Sequence, residues 1–102
     1  MADYLLSEAA QADAEEIYAY SIMTFGLSTA RAYLEGLHLR LQQIADNKVL
    51  GRDYSHILPG LLRYEHRSHS VYFQRERTGV LVIRILGAAQ DPMLHIQDEQ
   101  DT

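Results

Sequence analysis

The residues that could do chemistry here are mostly arginines, and Arg84 is the most informative. In the run Val80-Leu81-Val82-Ile83-Arg84-Ile85-Leu86, alternation puts Leu81, Ile83 and Ile85 on one face. Arg84 shares the other with Val80, Val82 and Leu86. A charge in the middle of so apolar a strand costs free energy unless it is paired or functional. Two readings follow: an anion site on an open face of the sheet, or a salt bridge to Glu65, Asp91 or another acid. Arg63, between Leu61 and Glu65 on its own face, poses the same question. If both strands expose the same face, Arg63 and Arg84 converge. Tyr64, His66, His69 and Tyr72 are their neighbours in sequence. Arginine with histidine or tyrosine supplies a phosphate clamp, a general base and a general acid, enough for metal-free cleavage of RNA. The same composition also makes binding surfaces, and spacing alone leaves both open.

Other chemistries find no footing. The chain has no cysteine, which excludes thiol nucleophiles, disulfides and zinc ribbons. Histidines 38, 56, 66, 69 and 95 follow no HExxH spacing, and no glycine belongs to a phosphate-cradling loop. No serine sits in a nucleophile elbow. Glu15 and Glu16 face two directions on a helix and make no carboxylate dyad. Tyr18, Tyr20 and Tyr33 read as core or hairpin contacts, and His38 as a helix-surface residue. Neither a metal nor a cofactor is expected.

These groups must be positioned by short elements. Asp3–Leu6 reads as a first strand. Ser7 is a good helix N-cap, with Glu8 in the first turn. Ala10, Ala14, Ile17, Tyr18, Ser21, Ile22 and Phe25 then recur with helical spacing, the acids at 13, 15 and 16 lying mostly off the stripe. Gly26 stops that helix. Ser28 reads as the next N-cap, and Ala30, Tyr33, Leu34, Leu37, Leu41 and Ile44 give a second stripe ending near Asn47. Two helices so closely linked form an antiparallel hairpin. Residues 48–60 read as loop. Period two then takes over in 61–66, 70–75 and 80–86, with a tight turn at Arg77-Thr78-Gly79, so an antiparallel meander is expected. Asp91-Pro92 opens a short helix.

The order β-α-α-β-β-β gives an α+β fold, a helical hairpin on a small, mainly antiparallel sheet. The 102 residues suit one domain over 1–96, with an acidic, flexible tail over 97–102. The net charge of −5 is unevenly spread: residues 36–84 hold eight of the nine bases, and both ends are acidic. Such a basic zone can track nucleic acid or an acidic partner, or consist of solvated strand ends and rim residues, and the overall charge disfavours non-specific nucleic-acid binding. There is no apolar run of about 18 residues to span a membrane. The acidic N-terminus does not read as a signal peptide, so a cytoplasmic protein is expected.

Seven strings in order resemble one family: LSEAAQADAEEIYAY (6–20), Phe25-Gly26, ARAYLEGL (30–37), DNKVLGR (46–52), ILPGLLR (57–63), HSVYFQR (69–75), and VIRIL followed by DP (82–92). They are similar to the ParE toxins of bacterial toxin–antitoxin pairs, within the wider RelE/ParE superfamily, and they cover nearly the whole chain. Four positions depart from the family pattern. Phe25 replaces a tryptophan, Lys48 a proline, Gly87 a histidine and Ala89 an arginine.

The resemblance implies a toxin that inhibits DNA gyrase without catalysis and is silenced by a ParD-like antitoxin. Operator DNA would be reached only through that antitoxin. A homodimer and a hetero-oligomer with the antitoxin both fit. The binding residues expected are Arg52, Arg63, Tyr72, Arg75 and Arg84. The superfamily also implies an alternative, a ribosome-dependent ribonuclease using Arg63, His66, His69, Tyr72 and Arg84. The changes at Gly87 and Ala89 open a third, a detoxified relative that serves only as antitoxin partner or co-repressor. For the first reading, an apolar groove between hairpin and sheet is expected, and Arg84→Glu should weaken antitoxin binding by roughly 2–5 kcal/mol.

Overall fold

Ser7 makes the first corner of the fold. The computed structural model describes residues 3–100. In it, strand β1 (Asp3–Leu6) runs straight into helix α1 (Glu8–Phe25). The Ser7 Oγ accepts from the Ala10 N–H at 3.0 Å, which caps the helix, and donates to the Ile83 carbonyl at 2.7 Å. Gly26 then ends α1 at φ +93°, with its N–H on the Ile22 carbonyl, and helix α2 (Leu27–Asp46) starts at once. The expected cap at Ser28 is not used. Gly26 holds the cap position with no side-chain bond, and Ser28 lies inside the first turn.

Four more strands follow: β2 (Arg52–Asp53), β3 (Leu61–His66), β4 (His69–Glu76) and β5 (Gly79–Gly87). The sheet order is β1-β5-β4-β3-β2. β1 is parallel to β5, and the other pairs are antiparallel. β2 lies within the stretch expected to be loop. Two residues are too short a run to show a period, and β2 exists because it pairs with Arg63 and Leu62. Helix α3 (Pro92–Gln100) starts where Asp91-Pro92 predicts, and the tail expected from residue 97 is helical as far as Gln100. Residues 101–102 of that tail lie outside the described residues.

The sheet is covered on both faces. The hairpin side holds Ala10, Leu37, Leu41, Ile44, Val71, Phe73, Val80, Val82 and Ile85. On the other side Ile57, Leu61, Tyr72, Ile83, Leu86 and the α3 residue Ile96 form a second core. This overturns the expected open face. It also shows that the strand phase changes. Tyr72 pairs with Arg84 while Phe73 pairs with Val82, so Ile83 is an extra residue in a β-bulge. Val80 and Val82 face the hairpin before the bulge and Ile85 faces it after; Leu81, Ile83 and Leu86 face the second core. Strict alternation, which puts Leu81, Ile83 and Ile85 together, fails at that step.

The hairpin outruns the sheet. Ala10, Asp13 and Ser21 of α1 are buried, but Phe25 is 64% exposed and Met23 88% exposed. Tyr20, Ile22 and Leu27 are exposed beside them. The helical period of the sequence continues past the point where there is anything to pack on.

Candidate binding face

The register places Arg63, Tyr72 and Arg84 side by side in one row across β3, β4 and β5. Two strand spacings separate the arginine backbones, roughly 10 Å. The guanidinium groups nonetheless part company. Arg84 Nε and Nη2 donate to Asp13 Oδ2 and Oδ1 at 2.8 and 2.9 Å, and Nη1 donates to the His95 carbonyl at 3.3 Å. Asp13 Oδ2 also accepts from the Ile85 N–H at 2.9 Å. Among the described residues no strand pairs with β5 beyond Leu6 on that side, and there the Asp13 carboxylate bonds both the strand and its arginine. One side chain therefore ties α1, β5 and α3 together. The salt-bridge reading of Arg84 holds, with Asp13 as the acid and not Glu65 or Asp91.

Asp13 is the residue that sequence reasoning missed. It lies three positions after the buried Ala10, on the inner stripe of α1, where acids were expected to lie mostly off it. The signal was available in Arg84 itself, since a mid-strand charge calls for a buried counter-charge.

Arg63 is differently placed. Its Nε and Nη2 donate to Ser70 Oγ at 3.1 and 3.0 Å, Nη1 donates to the Tyr54 hydroxyl at 3.3 Å, and Nη2 pairs with Glu65 at 3.0 Å. Its guanidinium carbon lies 5.4 Å from the Tyr54 ring centre, and Tyr54 in turn meets Tyr72 edge-on. Tyr72 is buried, and burial pushes its phenol above the usual tyrosine range. Arg75 donates to the Ile44, Asn47 and Leu50 carbonyls at 2.9, 2.9 and 2.7 Å, closing the C-terminal end of α2 and the turn that follows. Arg52 is exposed, directly opposite Arg63 in the ladder.

The histidines stand on the opposite face. His66 is buried against Tyr33, and His69 Nδ1 bonds the Tyr33 hydroxyl at 2.6 Å. Burial lowers the pKa of both imidazoles, and for His66 the charges of Arg40 and Arg67 add to the effect. The ribonuclease set thus divides. Arg63 and Tyr72 are on the second-core side, His66 and His69 under the hairpin, and Arg84 is in its ion pair. His38 is on the helix surface as expected, bonded to the Tyr4 hydroxyl. Behind that pair lies an apolar cavity of about 260 Å³ lined by Leu6, Ala14, Leu34, Leu37, Leu41 and Ile85. This is the expected apolar space between hairpin and sheet. Among the described residues no group of three or more His, Asp or Glu could hold a metal ion. None of the described helices is long and apolar enough to cross a membrane.

This arrangement of hairpin and sheet recurs in a chain of the solved chromosomal ParDE TA system from P. aeruginosa. The TM-score is 0.69 at 20% identity, over 85% of this chain and 96% of that one. At that identity the likeness speaks for the fold alone. A family model described as "ParE toxin of type II toxin-antitoxin system, parDE" matches residues 4–92. Among similar proteins, Toxin ParE1 of Mycobacterium tuberculosis is 34% identical over 86% of this chain and 91% of its own length. Toxin ParE1 of Caulobacter vibrioides is 29% identical over 94% of this chain and 99% of its own. The chain belongs to the ParE family, the toxins of type II toxin–antitoxin systems.

Proposed function

We propose that this toxin acts by binding DNA gyrase, with no catalysis of its own, and so blocks replication in the cytoplasm until a ParD-like antitoxin neutralises it. The observation that carries this reading is the division of the groups a metal-free ribonuclease would need. A phosphate clamp must share one accessible space with its acid and base, whereas the two histidines stand on the opposite face of the sheet from Arg63, and Tyr72 on its own face is buried. Antitoxin binding is supported by uncovered apolar surface at the hairpin tip, with Tyr20, Met23, Phe25 and Leu27. Contiguous exposed apolar groups of this kind mark interaction sites. Arg52 and Arg63 are the binding residues with solvent access. Arg84 and Arg75 act on the partner through the shape they hold, and Tyr72 supports Arg63 from beneath by way of Tyr54. Operator DNA is reached through the antitoxin, in a hetero-oligomer with it.

The test is plasmid supercoiling by purified gyrase with ATP, titrated with this protein alone and with its antitoxin. Loss of supercoiling with trapped cleaved plasmid, both reversed by antitoxin, is the expected result. No effect at high excess refutes the reading. Translating ribosomes then separate the ribonuclease from the detoxified relative suggested by Gly87 and Ala89.

A further inference from the structure

The hairpin does not fill the space it covers beside β1. Ala14 of α1 faces Leu34, Leu37 and Leu41 of α2, Leu6 of β1 and Ile85 of β5 across the cavity of about 260 Å³. Two features of the chain leave it open and uncharged. The inner stripe of α1 has only a methyl group to offer at position 14. The bulge at Ile83 turns Ile85 to this side, where strict alternation from Val80 and Val82 would have put the Arg84 guanidinium. Leu37, Leu41 and Ile85 in its wall are buried. Among the described residues no Asp, Glu, Lys or Arg lines it.

The polar side chains of the wall, Tyr4 and His38, satisfy each other. The Tyr4 hydroxyl bonds His38 Nδ1, with ring centres 5.6 Å apart. Burial and the nearby Asp3 charge push the Tyr4 phenol above the usual tyrosine range, so it stays neutral. Beyond this pair lies an outer cleft of about 410 Å³ lined by Arg31, Leu34, Glu35, His38 and Leu39. Leu34 and His38 belong to both walls. His38 is exposed, so a swing of its ring breaks one hydrogen bond and joins cleft to cavity. The chemistry of the inner wall limits what can enter. A stable buried water needs two to four polar partners, whereas an apolar cavity of about 150 Å³ stays dry and takes benzene. A charged group would be desolvated without a counter-charge. A polypeptide segment would leave its backbone groups unpaired.

We propose that the cavity is a binding site for a small uncharged molecule, hydrocarbon-like and about the size of one aromatic ring with a short alkyl group, which enters past His38. Its occupancy restores the dispersion contacts that an unfilled wall forfeits. A single hydroxyl on such a molecule would meet the Tyr4–His38 pair, while an acid or a base would be held outside, beside Arg31 and Glu35. The occupant touches both helices of the hairpin, β1 and β5 at once, so it fastens the hairpin to the sheet. The inference concerns this cavity alone and depends on neither gyrase nor an antitoxin.

The experiment titrates the full chain with benzene, toluene, ethylbenzene and butylbenzene, and with benzoate as the charged control, following methyl signals by two-dimensional NMR. Saturable shifts are expected at Leu6, Leu37, Leu41 and Ile85, and none at Met23 or Leu27 of the exposed hairpin tip. Affinity should rise about fourfold with each added CH₂ from benzene to ethylbenzene, then stop rising once the cavity is full. Ethylbenzene should also raise the melting temperature by mass action, and benzoate should not. Ala14→Leu fills the space and should weaken ethylbenzene binding by about tenfold or more. The same change at the exposed Ala12 should leave affinity unaltered. Tyr4→Phe removes the latch and should speed ligand exchange without weakening affinity. No saturable shift, shifts at the tip instead, affinity independent of ligand size, or benzoate binding as tightly as ethylbenzene overturns the proposal, whether or not Ala14→Leu folds. So does an Ala14→Leu protein that folds and binds ethylbenzene equally well. Unchanged exchange in Tyr4→Phe overturns entry past His38. The supercoiling titration contains none of these ligands, so either result can fail without the other.

Discussion

Removing the carboxylate of Asp13 should bring the fold close to collapse. Asp13 is 7% exposed and accepts three hydrogen bonds, two from the Arg84 guanidinium and one from the Ile85 N–H. The partner side chain is only 13% exposed. Asp13→Ala thus removes the carboxylate that the buried Arg84 guanidinium bonds twice and leaves a strand N–H without its acceptor. Breaking a buried pair from one side costs about 3–5 kcal/mol, out of a total stability of about 5–15 kcal/mol for a domain of ordinary size. At roughly 4–8 °C per kcal/mol, the melting temperature should fall by at least about 12 °C. Urea unfolding followed by circular dichroism measures the difference, and Asp13→Asn, which keeps one acceptor oxygen, should fall between wild type and Asp13→Ala. The decisive comparison is a double-mutant cycle with Arg84→Met. Asp13→Leu with Arg84→Met replaces both charges by apolar groups, so it should cost less than the sum of the single changes by about 2 kcal/mol or more. Additive losses, or an Asp13→Ala cost below about 1 kcal/mol, would refute the clamp. The same logic explains why Arg84→Glu is no probe of antitoxin binding. It would set two carboxylates against each other inside the fold.

Two other perturbations have determinate signs. His66 and His69 titrate below the unfolded histidine range because they are buried, so between their folded values and about pH 6.5 the unfolded chain binds more protons than the native one. Stability should therefore fall as the pH drops below about 6.5, and His66→Leu should flatten that slope in urea titrations from pH 5 to 8; an unchanged slope would remove His66 from the effect. Gly51→Ala adds a Cβ 2.8 Å from Phe73 Cζ at a positive φ, and should cost about 1–3 kcal/mol by the same unfolding measurement. A neutral result would mean that the turn can leave β3 by another path.

What could be read from the sequence follows from what periodicity can and cannot encode. The hairpin was legible because Ala30, Leu37, Leu41 and Ile44 repeat at one angular position and Gly26 interrupts between two such stripes. The antiparallel meander was legible from its short turns. The phase of β5 was not. Val80 to Leu86 offers apolar residues to both faces, because both faces are covered, and a bulge inside such a run leaves no mark on its composition. The exposed Phe25 shows a related limit. A stripe fixes which side of a helix turns inward, but only the sheet's reach fixes where burial stops. Of the candidate site residues, Arg84 announced that it needed a partner, yet Asp13 became visible as that partner only once α1 was seen to pass the end of β1.

The arginines show why charge in the sequence is a poor guide to the surface a toxin offers. Arg84 and Arg75 point inward, one at a carboxylate and the other at three carbonyls, and both fix the relative places of helices and sheet. Arg63 is half committed, to Glu65, Ser70 and Tyr54. Arg52 alone of the predicted binding set is exposed and has no such commitment among the described residues. A basic segment of eight cations therefore presents far less positive charge to a partner than its composition suggests. That favours a partner recognised by apolar contact over one held by field strength. It also means that substitutions at the inward arginines should abolish toxin, antitoxin binding and fold together, whereas a change at Arg52 should separate binding from folding.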